Sequence, residues 1–144
     1  MTMADRHIDP QSGQFDTFKN LPRDTPIEML NMIRFKDKAS YPADHPFAGE
    51  GLTGAEAYAR YGREAAPHLR KAGGVIAWSA TPEAVVIGPD DERWDAIFAV
   101  RYPSTTAFLA MITNSEYQKL AVHRTAAVET SRLIRTAPAA DSNK

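Results

Sequence analysis

The stretch Trp94-Asp95-Ala96-Ile97-Phe98-Ala99-Val100-Arg101-Tyr102-Pro103-Ser104 decides how this chain folds. Up to Tyr102 it alternates: Trp94, Phe98, Val100 and Tyr102 fall on one side of an extended chain, with Asp95, Ile97, Ala99 and Arg101 on the other. Pro103 has no N–H to continue a ladder, and Ser104 has the side chain to cap a helix that starts at Thr105. Phe108, Met111 and Ile112 give that helix an apolar stripe. Asn114-Ser115 then interrupts it, and Ser115 is placed to cap a second segment with Tyr117, Leu120, Ala121, Arg124 and Val128 on one side. The stretch is thus a central strand turning sharply into a helix.

Upstream, Gly88-Pro89-Asp90-Asp91-Glu92 reads as a hairpin turn. It follows a strand at Val75–Ala80 that breaks at Thr81-Pro82 and resumes at Ala84–Ile87, a pattern of an edge or a bulge. Gly73-Gly74 ends a helix predicted from Gly54 to Ala72, with Thr53 as cap and Glu56 completing a capping box. Tyr58, Gly62, Ala65, Ala66 and Leu69 form its buried side, and Pro67 predicts a kink. Lys36–Leu52 is a long polar loop, and Ile27–Phe35 a strand with Ile27, Met29, Asn31, Ile33 and Phe35 on one face. Asp9-Pro10 starts a short helix docked by Phe15, Phe18 and Leu21, and Ser131–Arg135 is the last strand. The chain divides into an N-terminal helix and linker (1–26), one domain (27–137) and a flexible tail (138–144).

This order, β-α-β-β-α-β behind an extra helix, is the α+β ferredoxin-like antiparallel sheet. Two helices cover one face of such a sheet. Yet Leu30 and Met32 oppose Met29 and Ile33, and Ile97 and Ala99 oppose Phe98 and Val100, so the strands are apolar on both faces. A bare apolar face predicts a homodimer through the open sheet face, a dimeric α/β barrel.

Composition narrows the function classes. A formal net charge of -1 and a pI near 6.4 give no electrostatic footprint for nucleic acid or a membrane surface. The absence of cysteine removes disulfides, thiolate metal sites and a cysteine nucleophile, and fits a cytoplasmic protein. The first residues lack the apolar run of a signal peptide, and no segment has the length of a membrane span.

The chain resembles a bacterial family, domain of unknown function 1330, of the dimeric α/β-barrel superfamily. The matching segments are Met29-Leu30-Asn31-Met32-Ile33-Arg34, Gly54-Ala55-Glu56-Ala57-Tyr58 with Tyr61-Gly62, Gly73-Gly74, Gly88-Pro89 with Arg93-Trp94-Asp95, Tyr102-Pro103-Ser104, Tyr117 and His123-Arg124. The resemblance implies the fold. It transfers no reaction, because barrels of this kind host cofactor-free monooxygenases, lactone isomerases and haem enzymes.

The motifs are weak. Gly49-Glu50-Gly51-Leu52-Thr53-Gly54 matches G-x-G-x-x-G, but no strand runs into it and no acidic residue follows at the required distance, so it reads as a helix cap. His7, His45, His68 and His123 are scattered, and no metal or other cofactor is expected. Glu56, Arg60, Glu64 and His68 form a stripe at helical spacing that reads as a solvated, salt-bridged face. His123 falls beside Glu116 and Lys119 on the polar side of its helix, which argues against a pocket role. The basic residues Arg60, Arg63, Arg70 and Lys71 are interspersed with acids and need no partner.

What remains is polar residues on apolar elements, which must find partners when buried. Asn31, Arg101 and Arg124 are expected to bond within the protein or across the dimer, or to converge on a ligand pocket walled by Tyr58, Trp78 and Trp94. The loop Lys36–Leu52, with Tyr41 and His45, is its candidate lid. The expected function is a small-molecule-binding protein, a cofactor-independent monooxygenase or isomerase acting on a small aromatic or anionic metabolite. The competing expectation is a non-catalytic homodimer whose polar residues only set register.

Overall fold

The computed structural model describes residues 6–139. The order is α1 (Ser12–Asn20), β1 (Ile27–Phe35), α2 (Gly54–Lys71), β2 (Val75–Ala80), β3 (Ala96–Tyr102), α3 (Thr105–Ile112), α4 (Ser115–Gln118), α5 (Ala121–Ala127) and β4 (Val128–Thr136). The strands form one sheet in the order β2-β3-β1-β4, all neighbours antiparallel, which is the ferredoxin-like topology.

Cross-strand pairing sorts the residues by face, since directly opposed side chains point the same way. Met29 pairs with Val100, Asn31 with Phe98 and Ile27 with Tyr102. These residues face the helices. Ile27, Met29, Val100, Tyr102, Phe108 and Met111 make one buried cluster, and Ile33, Ala57, Ala127 and Val128 a second. Phe98 packs against both. On the other face Trp78, Ala99, Leu30 and Ile134 form a continuous row across all four strands, flanked by Ala80, Ile97, Met32 and Arg132. Among the described residues no helix covers that row, and Trp78 and Ile134 are 53% and 46% exposed.

Local signals explain most boundaries. The Thr53 hydroxyl accepts from the Glu56 N–H while the Glu56 carboxylate accepts from the Thr53 N–H, closing the expected capping box. Ser104 accepts from the Ala107 N–H. Gly54 is required for a different reason. Its N–H donates to the Lys36 carbonyl, and a Cβ there would stand 2.1 Å from that same oxygen.

The structure differs from the sequence reading at several points, and the last strand spans Val128–Thr136 rather than Ser131–Arg135. β3 begins at Ala96, so Trp94 lies outside it. Ala84–Ile87 forms no strand, and Val86 and Ile87 are 91% and 96% exposed, because Pro82 and Pro89 bracket a segment with no ladder partner. The long helix after Thr105 is three helices, and Asn114, not Ser115, caps α4, accepting from the Glu116 and Tyr117 N–H groups. α1 starts at Ser12 after Gln11, two residues past Pro10, and α2 runs unbroken through Pro67.

Candidate functional site

The break at Lys119-Leu120 between α4 and α5 resets the helical phase and turns His123 inward. Its side chain is 8% exposed, not on a polar face as continuous helical phasing from Glu116 predicts. Its Nε2 lies 3.2 Å from Oε2 of Glu64 on α2, and its Nδ1 lies 2.8 Å from the Tyr41 hydroxyl in the loop after β1. Glu64 therefore does not belong to a solvated stripe with Arg60 and His68. His68 lies edge-on to the Tyr117 ring, and Glu56 is spent on the capping box.

These two contacts fix the proton positions. Burial, the largest influence, with nearby His45 and Arg60, holds the His123 pKa below 6.5 against the opposing pull of Glu64, so the ring is neutral near neutrality. A neutral ring facing a carboxylate through Nε2 carries its hydrogen there. Nδ1 is then the acceptor, and Tyr41 donates to it. Burial also raises the Tyr41 pKa, which keeps that hydroxyl protonated.

The loop from Lys36 to Leu52 is fastened where it meets the helices. Lys36 N–H donates to the Ala127 carbonyl, Ser40 N–H to that of Ala126, and Ala39 N–H to that of Leu52. Beyond these anchors, His45 stacks on Tyr41 with ring centres 4.7 Å apart, and Phe47 packs against Tyr41, His45 and His123. The Phe47 N–H donates to His45 Nδ1 at 3.0 Å. Arg60 lies over the Phe47 ring, 4.2 Å from its centre. The result is a cleft of about 590 Å³ lined by His45, Pro46, Phe47, Arg60, Arg63, Glu64 and His123. Among the described residues neither Arg60 nor Arg63 makes an ion pair. No group of three or more His, Asp or Glu side chains among them is placed to hold a metal ion.

The six residues expected to share a pocket are separated. Asn31, Tyr58 and Arg124 lie between the sheet and the helices. Trp78 and Arg101 lie on the opposite, open face, where Arg101 Nη2 meets Glu28 Oε2 at 2.8 Å. Strand alternation, with the bulge between Ile76 and Trp78, dictates that split. Trp94 sits ahead of β3 beneath the Arg132 guanidinium, 5.2 Å from its ring centre. Asn31 donates to the Met29 carbonyl, and Arg124 donates to the Ile8 carbonyl at 2.6 Å and the Ser131 hydroxyl at 3.1 Å. Beside Arg124 lies a group of buried phenols. Burial pushes Tyr58 up to about 12 and raises Tyr61 and Tyr102, and the Tyr61 and Tyr117 hydroxyls bond to each other.

Of the expected residues, then, Tyr41 and His45 stand at the cleft. Sequence reasoning missed its other members, Phe47, Arg60, Arg63, Glu64 and His123. The break that turns His123 inward carries no signal in the sequence: neither Lys119 nor Leu120 is a helix breaker, and Leu120 precedes α5 without a side-chain cap.

Among proteins of curated function none is similar to this chain. Two crystal structures match it almost end to end. RPA0582, a protein of unknown function from Rhodopseudomonas palustris, is 44% identical with a TM-score of 0.85, over 94% of this chain and 98% of that one. Methylated RPA0582 is 43% identical with a TM-score of 0.87, over 96% of this chain and 98% of that one. The family model described as Domain of unknown function (DUF1330) matches residues 49–136, which include Arg60, Glu64 and His123. With the ferredoxin-like sheet, and with close to half its residues shared with RPA0582, the chain belongs to the DUF1330 family.

Proposed function

We propose that this protein is a small-molecule-binding homodimer that works without a cofactor, and that its ligand is a small aromatic or anionic metabolite held in the cleft beside His123. The observation that carries the reading is the pair of arginines, Arg60 and Arg63, lining the cleft without carboxylate partners among the described residues. Guanidinium groups left unpaired next to aromatic rings suit a carboxylate on a flat body. Of the two chemistries that the barrel suggests, isomerase fits better than monooxygenase. The cleft offers a carboxylate and a neutral imidazole in contact, which serve proton transfer.

The open face supports a second copy. The row Trp78, Ala99, Leu30 and Ile134 is apolar across the full sheet width, and a matching row from a two-fold related copy would remove it from water. The absence of cysteine agrees with a cytoplasmic location. Among the described residues no helix is long and apolar enough to cross a membrane.

Isothermal titration with phenylpyruvate and with benzoate tests the cleft. Binding to the wild type should weaken about tenfold or more in Arg63→Ala, about 1.4 kcal/mol. Equal affinity in both proteins would remove the cleft from consideration. One observation favours the non-catalytic reading: Asn31, Arg101 and Arg124 all have partners within the chain, as groups that only set register do.

A further inference from the structure

We propose that the cleft carries out reversible proton transfer at the carbon next to a carbonyl in a small carboxylate, with Glu64 as the base; this rests on the cleft being the ligand site. Among the described residues Glu64 is the one carboxylate lining it. Its side chain is 46% exposed, so one oxygen is within reach of a bound molecule while Oε2 is held by His123. Among the described residues Oε1 has no hydrogen-bond partner.

The two residues behind Glu64 are positioning residues. His123 is nearly enclosed, and it supplies a single N–H to Oε2. Because that ring is neutral, it orients the carboxylate without setting a full positive charge against it, which would weaken the base. Tyr41 fixes which nitrogen carries the hydrogen by donating to Nδ1. His45 is tied at Nδ1 by the Phe47 N–H, and it stacks on Tyr41 to hold the phenol in place.

The step balances without an oxidant. The C–H bond next to the carbonyl breaks, and its proton goes to Glu64 Oε1. Its electron pair becomes the carbon–carbon π bond, and the carbonyl π pair moves onto oxygen. The resulting enolate faces the guanidinium groups of Arg60 and Arg63, which line the same cleft. Glu64 then returns the proton to carbon, at the original or a conjugated position. The substrate class is therefore a carboxylate bearing an enolisable carbonyl, and a cleft of about 590 Å³ accommodates an aryl group as well.

The test is exchange of the C3 protons of phenylpyruvate and of 2-oxobutyrate in deuterated buffer, followed by proton NMR. Each rate is set against binding of the same compound by calorimetry. The wild type should accelerate exchange of at least one of them over buffer. Glu64→Gln should lose that acceleration by about 10²-fold or more while binding within threefold of wild type. Glu64→Asp, which keeps a carboxylate, should recover part of it, and this arm also guards against a folding defect in the glutamine variant. Tyr41→Phe should shift the pH dependence of exchange, leaving the binding constant in place. Binding without acceleration of either compound would overturn the proposal and leave the cleft as a binding site. Acceleration undiminished in Glu64→Gln would overturn it too. Absence of binding, unchanged in Arg63→Ala, would take away the cleft reading and this proposal with it.

Discussion

His123 Nε2 and Glu64 Oε2 stand 3.2 Å apart, joining α5 to α2 through a nearly enclosed ring and a half-exposed carboxylate. Glu64 is the group that raises the His123 pKa against the effect of burial. Glu64→Gln should therefore lower that pKa further, as read from the ring-proton shifts in an NMR titration. In the wild type the folded-state value already lies below the unfolded value of 6.5, so the unfolded chain takes up this proton first. The stabilisation is complete above about pH 6.5 and is lost as pH falls through the folded pKa. Urea midpoints measured from pH 8 down to 5 should decline, and less steeply in His123→Gln.

At the alkaline end the sign reverses. Tyr58 stays protonated to about 12 in the folded state, whereas an unfolded tyrosine ionises near 10. The folded form keeps its full advantage below pH 10 and loses it as pH rises towards 12. Absorbance at the phenolate band should show the buried tyrosines ionising together with unfolding, not in a separate earlier step. Early ionisation of Tyr58, Tyr61 and Tyr102 in a folded protein would contradict their placement.

Gly54→Ala should destabilise the protein by about 3 kcal/mol, measured by urea denaturation. The added Cβ would meet backbone on two sides, 2.1 Å from the Lys36 oxygen and 2.7 Å from the Ala127 oxygen. Backbone cannot rotate away as a side chain would. The same shift would move the start of α2 away from the loop that carries Tyr41.

Leu30 sits between Ala99 and Ile134 in the middle of the open-face row. Leu30→Glu should convert a sedimenting dimer to a folded monomer, because two carboxylates would be buried against apolar neighbours about the two-fold axis. A wild-type protein that sediments as a monomer at working concentrations would remove the dimer and the barrel together.

Arg124→Ala should cost about 1–3 kcal/mol of stability, the usual range for charged hydrogen bonds left without a partner. It removes the donors to the Ile8 carbonyl and the Ser131 hydroxyl, so amides around Ile8 should exchange faster with solvent. Phenylpyruvate binding at the cleft should persist. Loss of binding with stability unchanged would instead place Arg124 in the ligand site.

Much of the fold was legible because it rests on short-range chemistry. Alternation in Ile27–Phe35 and around Phe98, the Thr53–Glu56 capping box and the Ser104 cap are all written within a few residues of where they act. Asn31 and Arg101 were legible as polar residues in strands, but not by partner. Asn31 bonds its own strand, whereas Arg101 meets Glu28 across the open face. Pairing register decides such matters, and a single sequence does not print it.

The sequence by itself determined the β-α-β-β-α-β order behind an extra helix and the apolar character of both faces of the sheet. These follow from periodicity and from residues whose backbone preferences are intrinsic. Only the tertiary structure decided that Tyr41, Glu64 and His123 meet. They come from a loop and two helices far apart in the chain, and their approach depends on a helix break that rotates His123 inward. A rotation of that kind leaves composition and spacing unchanged. It alters only which side chains the core can enclose, and packing across the whole domain settles that.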